Sequence, residues 1–83
     1  MVAKTTKNGR TVTLRANYML DVGKVYYEVY CALKTFEFED FATAANVYKN
    51  ISKRIEEGTE IESILRRLVE AARLLGHTVR EVR

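Results

Sequence analysis

Apolar and polar residues alternate from Thr11 to Leu20: Val12, Leu14, Ala16, Tyr18 and Leu20 share one face, and Thr11, Thr13, Arg15, Asn17 and Met19 the other. A period of two is what a half-buried strand imposes on its sequence. The pattern returns from Lys24 to Phe36, with Val25, Tyr27, Val29, Cys31 and Leu33 opposed to Tyr26, Glu28, Tyr30, Ala32, Lys34 and Phe36. Asp21-Val-Gly-Lys24 separates the two runs. Setting Leu20 against Val25 then aligns Tyr18 with Tyr27, Ala16 with Val29, Leu14 with Cys31 and Val12 with Leu33, whereas a one-residue slip would place leucines against tyrosine and glutamate. On the second face this register puts Met19 opposite Tyr26, Asn17 opposite Glu28, Arg15 opposite Tyr30 and Thr11 opposite Lys34. Upstream, Asn8-Gly9 suits the positive φ angles of a two-residue hairpin turn, which predicts a third strand over residues 2–6, with a frayed arm as the alternative for a segment so poor in packing groups.

After Phe36 the period lengthens to that of a helix. Phe41, Ala44, Tyr48, Ile51 and Ile55 form one stripe flanked by Ala45 and Val47, with Glu37, Glu39 and Asp40 at its start and Lys53 and Arg54 near its end, as the helix dipole favours. Phe36, Phe38 and Phe41 are expected to lock the corner between strand and helix. Gly58 suits the position just beyond this helix, and Thr59-Glu-Ile-Glu62 reads as a capping box opening a second one. Its stripe is Ile61, Ile64, Leu65, Leu68, Ala72 and Leu75, supported by Glu62/Arg66, Arg66/Glu70 and Glu70/Arg73 and ended by Gly76. The β-branched tail after His77 suits a short edge strand, although Val79 and Val82 are three apart and fit alternation badly. The fold expected is a single α+β domain over residues 1–83: two layers, with an antiparallel two- or three-stranded N-terminal meander packed on two C-terminal helices and a short C-terminal edge strand.

At 83 residues and 47% hydrophobic content there is enough for one core, and no apolar run approaches the ~20 residues that would cross a bilayer as a helix. The N-terminus lacks the apolar stretch of a secretory signal, so a cytoplasmic location is expected, with no membrane partner. The net charge of +3 is uneven. Residues 1–36 carry six cations against two acids, whereas residues 37–83 carry eight against nine, and Lys4, Lys7 and Arg10 make a basic first hairpin. Catalytic chemistry is thin. Cys31 is the one cysteine, which excludes an internal disulfide, and it sits in an apolar run. His77 is the one histidine, beside a helix end where a cation is stabilising anyway, and the glycines form no phosphate-cradling loop. The acids at Glu37, Glu39 and Asp40 read as dipole compensation rather than a metal site. Neither catalysis nor a cofactor nor a metal is expected.

Two helices can cover only one face of so small a sheet, and the more apolar face will take them. This leaves Arg15, Met19, Lys24, Tyr26, Tyr30 and Lys34 together on an open face. Tyr, Arg and Met concentrate binding energy in protein interfaces, while aromatic rings beside cations also suit single-stranded nucleic acid. Two further readings stand beside these: a homodimer that hides the tyrosines against a second copy, and tyrosines present only because they favour strands. Finally, the strand ending Lys34-Thr-Phe-Glu-Phe38, followed by the helix entry Glu39-Asp-Phe-Ala-Thr-Ala-Ala-Asn-Val-Tyr-Lys49, resembles small bacteriophage-encoded accessory proteins of the anti-CRISPR and anti-defence type. The resemblance spans about residues 24–51 and supplies no diagnostic motif. It implies a non-catalytic inhibitor that occupies a site on a larger protein or nucleoprotein complex of an infected host.

Overall fold

The computed structural model describes residues 2–57 and 60–82, apart from the Glu56 side chain. Among these residues five strands, β1 (Ala3–Lys7), β2 (Arg10–Met19), β3 (Lys24–Cys31), β4 (Lys34–Phe38) and β5 (Val79–Val82), form one sheet in the order of the chain. Every neighbouring pair is antiparallel. Two helices, α1 (Phe41–Glu57) and α2 (Ile61–Leu74), lie side by side on one face, α1 across β2 and β3 and α2 against α1 and β5. The expected two-layer α+β architecture with its C-terminal edge strand is therefore present, with a wider sheet.

The core lies between the layers, where Val12, Leu14, Val29, Phe36 and Phe38 of the sheet meet Ala44, Val47, Ile51 and Ile55 of α1 and Ile61, Leu65, Val69 and Ala72 of α2. Each large side chain buried here contributes about 1.5–3 kcal/mol from desolvation alone. The second helical stripe is rotated from the expected one: Val69 is buried, whereas Leu75 lies beyond the helix and is exposed.

Three strand expectations change. The run from Lys24 to Phe36 is two strands, because Ala32 and Leu33 take φ of 53° and 64° and reverse the chain in a two-residue hairpin turn. Such left-handed angles cost an L-residue about 1–2 kcal/mol. The β2–β3 register is displaced by two residues, pairing Leu14 with Val29 and Val12 with Cys31. Gly23, at φ 64°, is the residue that can close the loop, so the four loop residues are Leu20–Gly23, with the amides of Val22 and Gly23 both donating to the Met19 carbonyl. A shift of two preserves every side chain's face, so the division into covered and open faces survives. Lastly, Glu37 belongs to β4 rather than to the helix start.

The helix ends explain themselves locally. Asp40 caps α1: one carboxylate oxygen accepts from the Thr43 amide at 2.9 Å and the Thr43 hydroxyl at 2.6 Å. These two bonds hold the Asp40 carboxyl below its ordinary pKa. At the other end Gly76, at φ 93°, lets its own amide donate to the Arg73 carbonyl and that of His77 to Ala72, the paired bonds of a Schellman motif. Gly58 and Thr59 lie outside the described residues; Glu60 stands at the N-cap of α2 and makes no side-chain capping bond.

Candidate protein-binding surface

The strand alternation that sends Leu14, Val29 and Phe36 into the core sends their neighbours to the uncovered face. Read across the sheet, one row on that face runs Arg15, Glu28, Glu37, Arg80, each opposite the next. The row is a ladder of charges with cations outside and carboxylates inside. Arg80 Nη2 donates to Glu37 Oε1 at 2.7 Å, and Glu37 is only 5% exposed, so its charge is held by the arginine and not by solvent. The adjoining row holds Asn17 opposite Tyr26, and beyond it Met19 faces Lys24. Lys24 Nζ lies 3.6 Å from Glu39 Oε1, and the Asn17 amide donates to Met19 Sδ at 3.5 Å. On the other side of the ladder Tyr30, 37% exposed, stands between Thr13 and Thr35. A groove of about 300 Å³ opens where β3 and β4 meet the β2–β3 loop, lined by Met19, Asp21, Val22, Tyr26, Glu37 and Arg80.

Of the six residues expected on this surface, Arg15, Met19, Lys24, Tyr26 and Tyr30 are on it. Lys34 is not. The extra turn at Ala32-Leu33 moves it into β4 opposite Cys31, on the helix side, where its Nζ lies 3.5 Å from Glu81 Oε2. The basic hairpin divides as well. Lys4 opposes Thr13 on the open face, but Lys7 and Arg10 pair at the end of β2 remote from Met19, about 30 Å away at the rise of a strand. The open face is thus not a basic patch, because Glu28, Glu37 and Glu39 stand among its cations.

The feature that sequence reasoning missed is the β2–β3 hairpin end. Tyr18 (57% exposed), Leu20 (83%) and Val22 (57%) are all exposed there, with Val25 beside them. They adjoin Met19 and Tyr26, so apolar groups line both sides and the tip of the hairpin. The signal was available: a loop reading Leu-Asp-Val-Gly carries two aliphatic residues where polar ones are usual. Chemistry is sparse elsewhere. Cys31 is buried, and that burial raises its thiol pKa, leaving it neutral and poorly nucleophilic at physiological pH. Among the described residues no three His, Cys, Asp or Glu side chains are grouped to hold a metal ion, and no helix is long and apolar enough to cross a membrane. No protein-family model, curated protein or solved structure matches this chain.

Proposed function

We propose that this chain is a non-catalytic binding module that recognises a protein, free or within a nucleoprotein complex, through the open sheet face and the β2–β3 hairpin that continues it. The observation that carries this reading is the exposure of Leu20 and Val22 at the tip of a hairpin whose open face carries Met19 and Tyr26 and whose other face exposes Tyr18. Contiguous exposed apolar groups rimmed by charge are the usual mark of a protein contact. The charge pattern favours the same class of partner. Arg15 faces Glu28, Arg80 binds Glu37 and Lys24 lies near Glu39, so a polyanion would meet three carboxylates set among the cations of this face. A protein can match a ladder of mixed sign residue by residue. Self-association through this face is disfavoured, since a two-fold axis along the strands at the centre of the ladder would set Arg15 on Arg80 and Glu28 on Glu37. The resemblance to phage anti-defence proteins makes inhibition of the partner the natural consequence of such binding.

Capture from a nuclease-treated lysate of the native cell tests this, with the wild type beside Leu20→Asp/Val22→Asp and Tyr26→Ala. The expected result is a protein retained by the wild type and depleted at least tenfold with either variant, as loss of hot-spot residues implies. Equal retention by all three would remove the surface from consideration, and capture abolished by nuclease would replace the protein partner with nucleic acid.

A further inference from the structure

Among the described residues two two-residue hairpin turns have nearly the same geometry, and their sequences differ in a way that local energetics does not explain. Asn8-Gly9 closes β1–β2 at φ 52° and 73°, using the residue types that tolerate a left-handed backbone. Ala32-Leu33 closes β3–β4 at φ 53° and 64°, using two residues that do not. Leu33 is also 88% exposed, so the strain is not offset by burying its side chain within the chain itself. Backbone strain that the fold tolerates without local return collects at functional positions. The two turns lie side by side at one end of the sheet, opposite to the hairpin end described above.

Leu33 forms one edge of a groove of about 360 Å³ that Thr11, Tyr30, Cys31, Ala32 and Ile61 also line, roomy enough for a leucine side chain. A projecting apolar knob bordering an apolar hollow is self-complementary under a two-fold axis, because each copy's knob meets the other's hollow. The rim carries both signs, with Arg10 from β2 and Glu60 and Glu62 from the start of α2. A two-fold contact can therefore set each sign against the other.

We infer that this end of the molecule is a homodimer contact, in which Leu33 of each copy seats in the groove beside Leu33 of the other. The occupant is a second copy of this chain, and the strained turn exists to present the leucine. The contact covers Thr11 and Tyr30 at one edge of each open face and leaves Met19, Tyr26 and both β2–β3 hairpins, at the opposite end of the sheet, unobstructed. The whole molecule extends only 38 × 27 × 22 Å, so a contact confined to one end of it is small and the association a weak one.

Sedimentation equilibrium on the full chain from about 10 µM to about 1 mM, the range in which weak dimers dissociate, tests the inference. The wild type is expected to pass from monomer towards dimer across that range. Ala32→Asn/Leu33→Gly, which gives the second turn the sequence of the first, is expected to remain monomeric and to melt several degrees higher, since it removes the knob together with the strain. Leu33→Asn, which tolerates the same backbone without the apolar side chain, is expected to weaken the dimer at least tenfold. Glu62→Lys is expected to weaken it and to alter its salt dependence. A wild type monomeric throughout, or an Asn-Gly variant that associates as the wild type does, overturns the inference. An Asn-Gly variant that melts no higher than the wild type removes its premise. None of these results bears on the hairpin end of the open face, whose variants at Leu20, Val22 and Tyr26 lie at the other end of β2 and β3 from Tyr30 and the groove.

Discussion

Individual side chains in this protein are placed by very local chemistry. Asp40 is the clearest case, since its carboxylate takes both the amide and the hydroxyl of Thr43 and is held below its ordinary pKa by those bonds. A carboxyl whose folded pKa is depressed stabilises the fold above its unfolded value and loses that contribution as pH falls through the folded one. Asp40→Asn keeps an N-cap acceptor but not the charge, so its melting temperature should fall below that of the wild type near neutrality. The difference should vanish in acid, as thermal melts from about pH 2 to pH 6 would record. Cys31 gives a second test: its buried, neutral thiol should resist a thiol reagent in the folded protein and react fully once denaturant is added. At this scale the sequence is legible where a residue's role depends on its immediate neighbours, as with Gly76. It is opaque where the role depends on another strand. Nothing adjacent to Glu37 announces that Arg80 of β5, over forty positions away, will bind it.

Elements were legible from their period and misread where a turn lacked its usual residues. Asn8-Gly9 declares a hairpin, but Ala32-Leu33 continues the alternation of β3 without interruption, so the reversal there leaves no mark in the pattern. That one turn accounts for the misplacement of Lys34, because every residue after it moves into another strand. The two-residue register error has a similar origin, since alternation fixes the face of a side chain and leaves shifts of two to be decided by Gly23 in the loop. The candidate surface was therefore found by face and missed by extent. Five of its six residues are where alternation put them, while the exposed tip at Leu20 and Val22 depends on β2 and β3 outreaching their neighbours.

For the whole molecule, the division of labour between the two faces decides what a substitution does. Phe38, fully buried between sheet and helices, should lose about 3–5 kcal/mol on replacement by alanine, a large part of the roughly 5–15 kcal/mol that holds a domain together. Leu20→Asp and Val22→Asp, at the exposed hairpin end, should lie within about 0.5 kcal/mol of the wild type by chemical denaturation. This contrast makes the binding test clean, because loss of a partner in those variants cannot be laid to unfolding. The most direct measurement is photo-crosslinking in the native cell from a reactive residue placed at Val22 or Lys24, on the hairpin, and in parallel at Lys53 or Arg67, on exposed helical positions. The account predicts one protein adduct shared by the two hairpin positions and absent from the two helical ones. The same adduct from the helical positions, with none from the hairpin, would contradict it.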